Sequence, residues 1–367
     1  MARLVKVGTA SGETAWNEAL ADPKIDDVLL LEPGFYRLDQ PLDLVDLTFK
    51  GLGASPEDTV IYANFKMTAS TRYGTFENVH LMQAGEPLVR LPSSSNAYLT
   101  FRHCLVEGNG KASAPAIDAA GQVNLEIYSS IFRQASVSLQ AGSDFSLEIA
   151  DSEFAGAAYT PISLSGSGTA SINTSRFAGG PVMVKEETAQ VEMELNKVTL
   201  PLLYLQGTSS LDAVEANFTN DTYGLRVQDT CYANLLNCSL QGAVSLAGVC
   251  LLVAQNVVMD KLTLQDRANA VLAGGAIRRG IALRDVSLAD LNRVKLAASG
   301  EAALVEMSGS AAVTGKDLVF QGPSHRIAAK DQAAMEAGVL ASSQREIELA
   351  LTGEAQVELE GVKSRLV

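Results

Sequence analysis

The chain repeats itself. From Tyr73 to about Leu240 one phrase, inward residues on either side of a bend, returns about every 22 to 26 residues. With the bend placed at Asn78, His103, Ser129, Asp151, Thr174, Lys197, Glu215 and Asn237, the flanking positions fall into columns. Two residues before it stand Phe76, Phe101, Ile127, Ile149, Ile172, Leu195, Ala213 and Leu235. Three after it stand Leu81, Val106, Phe132, Phe154, Phe177, Leu200, Phe218 and Leu240. One after it stand Val79, Cys104, Ser130, Ser152, Ser175, Val198, Ala216 and Cys238, every one small or β-branched. Period-two alternation on both sides of a one-residue slip describes two short strands meeting at a corner, with small side chains packed inside it.

A unit this short cannot bury its own apolar face, so each must stack on the next. Helical solenoids have longer repeats and a 3.6-residue period; these segments alternate and are rich in Ser, Thr, Val, Ile and Phe. The expected fold is therefore all-β, a single-stranded right-handed parallel β-helix. Looser copies with bends at Lys261, Arg293 and Asp317, and a last strand pair near Val357 to Ser364, extend it to about a dozen coils. A solenoid grows without splitting and no linker interrupts the repeat, so residues 1–367 are expected to form one domain. Residues 322–344, with the Ala-rich stretch Ala328 to Ala341, are expected to project as a helical or loop insertion, and a smaller insertion is expected around Asp266 to Gly280.

The net charge of −14, with no clustered Lys and Arg, argues against nucleic acid as a partner. No apolar run is long enough to span a membrane, and residues 1–8 lack the apolar core of a secretory signal, so a cytoplasmic location is expected. Of the four cysteines, Cys104 and Cys238 share a column six coils apart, about 29 Å at ~4.8 Å per strand, too far to bridge. Cys231 and Cys250 could approach Cys238, yet all lie among apolar residues; four reduced core thiols are expected.

A β-helix needs its exposed sheet ends covered. Residues 11–21 can supply a capping helix, with Ser11 as N-cap and Trp16, Ala19 and Leu20 on one face. The segments that follow are Val28-Leu29-Leu30-Leu31-Glu32-Pro33-Gly34-Phe35-Tyr36, Leu47-Thr48-Phe49-Lys50-Gly51-Leu52-Gly53 and Thr59-Val60-Ile61-Tyr62. This entry over about 50 residues resembles the first coils of the pectin-lyase-like superfamily, which holds pectate lyases, pectin methylesterases and polygalacturonases. The resemblance implies the fold and is nearly silent on chemistry. The chain has no Gly-x-x-Asp-Phe-Ile-Phe-Gly, no Leu-Gly-Arg-Pro-Trp, no Gly-His-Gly and no Arg-x-Pro-x-x-Arg, so no catalytic residue of those enzymes carries over. The pair Asp26-Asp27 is read as a solvated turn.

The best chemical candidate is an acidic patch. Three before the bend, facing solvent, stand Thr75, Thr100, Glu126, Glu148, Ser171, Glu194 and Asp212, with Asp151 and Glu153 beside that column. Stacking sets Glu126 and Glu148 about one strand spacing apart, near enough to share a cation or to act as an acid and base pair. The plainer reading is a solvated face, with Arg176 next to Glu153 as a surface ion pair. Histidines are too few for a metal cluster: His80 and His103 fall in different columns and His325 in the insertion. Gly309 to Asp317 and Gly108 to Lys111 miss the phosphate-loop spacing and are read as turns. No cofactor and no metal are expected. The sequence points to a non-catalytic scaffold or protein-interaction module with a protein partner; the alternative is a carbohydrate-binding or polysaccharide-degrading β-helix, with Glu126, Glu148, Asp151, Glu153 and Arg176 as its site.

Overall fold

The computed structural model describes residues 3–8, 12–21, 23–109, 114–140, 142–157, 160–298, 302–322, 325–344 and 346–367. Ser11 lies outside them. The described chain is a parallel β-solenoid of about 15 turns rather than a dozen. It clusters into two compact units, Met1–Met193 and Glu194–Val367.

In the first unit each coil runs through a strand, a corner, a shorter strand, a turn and a third strand. The strands Asn96–Arg102, Gln122–Tyr128, Asp144–Ala150 and Ser167–Asn173 pair in parallel and in register, so Thr100, Glu126, Glu148 and Ser171 stand side by side. The third strands, among them Val89–Leu91, Ile117–Ala119, Val137–Leu139 and Ile162–Leu164, form a separate ladder. The bend has a single cause: Asn78, His103, Ser129, Asp151 and Thr174 all hold φ between 45° and 52°, the left-handed region that turns a strand by one residue. Side chains restart their alternation beyond it, which is the phase slip legible in the sequence.

The residue after each bend points inward and closes the corner. Ser130, Ser152 and Ser175 accept the backbone N–H of Cys104, Ser130 and Ser152 at 3.0, 3.1 and 3.1 Å, and each donates its own proton to the carbonyl two residues before it. Small residues are needed there for space, and serine adds a hydrogen bond for a buried amide. Rings fill the interior behind them: Phe132, Phe154 and Phe177 stack at 4.7 and 4.9 Å between centroids, and Phe76 stacks on Phe49 and Phe101 at 5.3 Å. The helix spans Gly12–Ala21, and Trp16 is buried against Tyr36 and Phe49 with centroids 5.1 and 6.2 Å away.

Asp27 is no solvated turn residue. It is fully buried and held by Arg3, whose Nε and Nη2 donate at 3.2 and 2.5 Å, and by the Lys24 amide at 2.8 Å. Asp26, with φ 68°, makes the turn and accepts the Tyr73 hydroxyl at 3.1 Å.

The second unit repeats the plan with bends at Lys197, Glu215, Asn237, Asn256, Arg293 and Asp317, at φ between 53° and 55°. The expected bend at Lys261 is wrong: Lys261 opens the strand Lys261–Leu264, and Asn256 makes the corner. No insertion interrupts residues 266–280; Asn269–Ile277 is a strand whose corner is Gly274, φ 73°. A glycine bend flanked by alanine and glycine carries no apolar contrast, so the column could not be read there.

The helical insertion over 322–344 is likewise overturned. Arg326–Ala329 and Ala334–Ser342 are strands in register with their neighbours, and Ala333, Met335, Ala337 and Val339 point inward. Alternation, not the helix propensity of alanine, decides this segment, because alanine fits the inner face of a coil. The strands Gln356–Glu360 and Lys363–Leu366 form the expected last pair.

A second turn column went unread. Gly207, Asp229, Gly248, Asp266, Asp285, Gly309 and Asp331 all have φ between 60° and 90° and each follows the last inward residue of a third-ladder strand by two. The Asp229, Asp266, Asp285 and Asp331 carboxylates accept the amides of Gly207, Gly248, Asp266 and Gly309 on the preceding coil at 2.9 to 3.2 Å. Gly309 is thus a coil turn, and Gly315 lies within the strand Ala312–Gln321.

Candidate functional site

The acidic patch exists only in part. Glu126 and Glu148 are direct partners in register and both face outward before the corner. Asp151 is the corner itself and accepts the Thr174 hydroxyl at 2.6 Å. Glu153 lies beyond the corner, on the strand Glu153–Ala157, with Ile131 and Arg176 as its partners in register. Among the described residues Arg176 forms no ion pair, so its adjacency to Glu153 creates no bridge. The corner thus divides the five candidates between two faces.

What does gather round Glu126 was not foreseen. Thr100 Oγ1 and Arg102 Nη2 each donate to Glu126 Oε2 at 3.4 Å, and the Arg102 guanidinium lies 5.6 Å from the centre of the Tyr128 ring. Tyr128 is bonded to Glu148, and its hydroxyl is pushed up to about 12, first by burial and then by that bond and the two carboxylate charges. The signal was available: Arg102 and Tyr128 occupy the column two positions on from Thr100 and Glu126, on the same outward face. Arg102 and Thr100 thus both reach one oxygen of Glu126, while Tyr128 interacts with Glu148. Among the described residues no three His, Cys, Asp or Glu side chains converge as metal ligands would. His80 Nε2 lies 3.1 Å from Glu107, His103 is a bend, and His325, expected in an insertion, is buried between Ser342 and Ser343.

A groove of about 380 Å³ in the same unit is lined by residues including Pro115, Ser138, Thr160, Ser163 and Lys185, and none of the five candidates reaches it.

The second unit exposes an apolar field that sequence reasoning missed. On the outward face of its long-strand ladder Tyr232, Leu251, Asn269, Leu288 and Ala312 stand in one row, with Val253 and Val271 in the next. Tyr232, Val249, Leu251, Val271, Val286 and Leu288 are between 37% and 61% exposed. Such residues are neighbours only because coils 18 or 19 residues long bring them into register. In the sequence each is an apolar residue at an outward position, Val249 and Leu251 within the apolar run Val249 to Ala254.

No protein-family model matches the chain, and no curated protein is significantly similar to it in sequence. Solved structures that align with it include the catalytic unit of a thermostable GH87 α-1,3-glucanase from Streptomyces thermodiastaticus strain HF3-3, with 10% identity over 98% of this chain and 68% of that one and a TM-score of 0.36. The PL6 family alginate lyase AlyGC aligns with 10% identity over 99% and 81% of the two chains, TM-score 0.30. A mannuronic acid specific family 6 lyase from human gut microbiota aligns with 10% identity over 95% and 86%, TM-score 0.32. Among the described residues no helix is long and apolar enough to cross a membrane.

Proposed function

We propose that the chain is a non-catalytic β-helix scaffold that presents its outer faces to a protein partner in the cytoplasm. The observation that carries the reading is the apolar field around Leu251 and Leu288. Exposed apolar side chains gathered on one face, here around Asn269 and Arg267, mark a protein contact, and leaving them in water costs about 25 cal/mol for each Å² that a partner would cover. The patch around Glu126 supports the same reading from the other side, since its carboxylates are already engaged by Arg102, Thr100 and Tyr128 and face away from Glu153. The Gly12–Ala21 helix, with Trp16 seated on Tyr36 and Phe49, serves in this reading as a lid on the first coil.

The test pairs two measurements. Affinity capture from the native host with the wild-type chain as bait should recover a stoichiometric partner that Leu251→Glu loses while its melting temperature is retained. Polygalacturonate, alginate and α-1,3-glucan should show no turnover. Unsaturated-sugar or reducing-end release that Glu148→Gln abolishes would replace the scaffold with the polysaccharide-active alternative.

A further inference from the structure

The chain carries 42 Asp and Glu against 28 Lys and Arg, so a stretch of surface free of carboxylates departs from its average. One such stretch is the outward face of five consecutive third-ladder strands of the second unit, Leu203–Leu205, Tyr223–Val227, Ala243–Leu246, Lys261–Leu264 and Ile281–Leu283. Tyr204, Arg226, Ser245 and Thr263 share one row, and Gln228 and Arg284 belong to the row beside it. Lys261 stands at the opposite edge, in register with Ala243 and Tyr223.

Arg226 is the centre of this face. Its guanidinium lies 5.0 Å from the Tyr223 ring centre and 5.5 Å from that of Tyr204. The Tyr204 hydroxyl is bonded to Gln228, which also accepts Gln206 Nε2 at 3.0 Å. Two rings thus hold a planar cation whose donors have no carboxylate to meet: among the described residues Arg226, Lys261 and Arg284 form no ion pair. The turn carboxylates Asp229, Asp266 and Asp285 are held by backbone amides of the preceding coil, and among the described residues none of them pairs with these cations. A pre-oriented guanidinium with its edge free is the arrangement that takes a carboxylate through two parallel N–H···O bonds, at a small ordering cost.

We propose that this face docks an extended acidic polypeptide segment, with Arg226 as its anchor; the proposal rests on the interaction-module reading and names the chemistry of the partner. Lys261 lies two coils and Arg284 three coils beyond Arg226, about 10 and 14 Å along the stack at ~4.8 Å per coil, on opposite sides of the Arg226 row, so a segment crossing the face obliquely meets Arg226 and one or other of them. Three spaced cations suit a short run of Asp and Glu and are too few to neutralise a phosphate backbone. Glutamine, serine and threonine between them can bond to a peptide backbone, and Tyr and Arg are enriched among the residues that carry protein-contact energy. A sugar would need an open aromatic face, and here Arg226 occupies a face of each tyrosine.

The test is fluorescence anisotropy of the full chain with a fluorescein-labelled dodecapeptide rich in Glu and Asp, at 50 and 200 mM salt. Saturable binding that weakens with salt is expected, reduced about tenfold or more by Arg226→Gln, as for the loss of a charge-assisted bond, and several-fold by the separate variant Lys261→Gln. Arg176→Gln, in the first unit, should bind as wild type. Absence of saturable binding, or equal binding by Arg226→Gln and Lys261→Gln, overturns the proposal. Tighter Arg226-dependent binding of oligogalacturonate than of the peptide also overturns it, by assigning the face to an acidic glycan. Partner capture through Leu251 reads a different surface, so either result leaves the other standing.

Discussion

The Ser152 hydroxyl accepts the backbone N–H of Ser130 from the neighbouring coil at 3.1 Å and hands its own proton to Ala150 O at 2.8 Å. A side chain selected in the sequence only as small is thus the partner of a buried amide that no strand satisfies. Ser152→Ala should leave that amide unpaired and cost about 1 to 3 kcal/mol in chemical denaturation. Ser146→Ala, exposed on the adjoining strand, should change stability by less than about 0.5 kcal/mol.

Ser287 gives the opposite sign. It is buried in the second unit, its Oγ has no partner among the described residues, and Ala268 and Ala311 hold the equivalent place on the coils either side. Ser287→Ala should be neutral or stabilising by up to about 1 kcal/mol, because it removes an unpaired hydroxyl without changing the fit. Clear destabilisation would show that the hydroxyl has a partner.

Phe154 lies between Phe132 and Phe177 in a stack with no solvent access. Phe154→Ala should cost about 3 to 5 kcal/mol, whereas Glu148→Ala, at an exposed position, should cost less than about 0.5 kcal/mol, both read from denaturant midpoints.

Three tyrosines, Tyr36, Tyr73 and Tyr128, should titrate late. Tyr128 and Tyr73 are both pushed up to about 12, by burial first and then by bonds to Glu148 and Asp26 respectively. Because folding holds their protons, their contribution is fully present below the ordinary tyrosine value near 10 and is lost as the pH rises from there through 12. Burial raises Tyr36 as well, so absorbance at 295 nm should show three of the nine tyrosines ionising after the rest, and Glu148→Gln should advance one of them.

The four cysteines are free and buried, and burial raises the Cys104 and Cys231 thiols to about 12. Folded protein should react slowly or not at all with a thiol reagent, and denatured protein without reductant should yield four equivalents. A disulfide between Cys231 and Cys250, neighbours across adjacent coils, would argue against a reducing compartment.

The columns were legible because a coil has one inside: each Phe76, Ile149 or Leu235 must be apolar, and each bend must shift the alternation by one. That periodic constraint determined the parallel β-solenoid, and the corners at Asn78 through Asn237, without reference to any partner. It failed where side-chain contrast vanished, at Gly274 and along Ala328 to Ala341, where alanine propensity suggested a helix. Register between coils was decided only in three dimensions, because it depends on the length of each turn. The tertiary structure therefore decided that Asp27 is buried against Arg3, that Glu126 meets Arg102 while Glu153 turns away, and that Tyr204 and Tyr223 enclose Arg226. It also distinguished Ser152 from Ser287, two small inward residues of the same chemistry, since whether a buried hydroxyl stabilises depends on the amide that faces it.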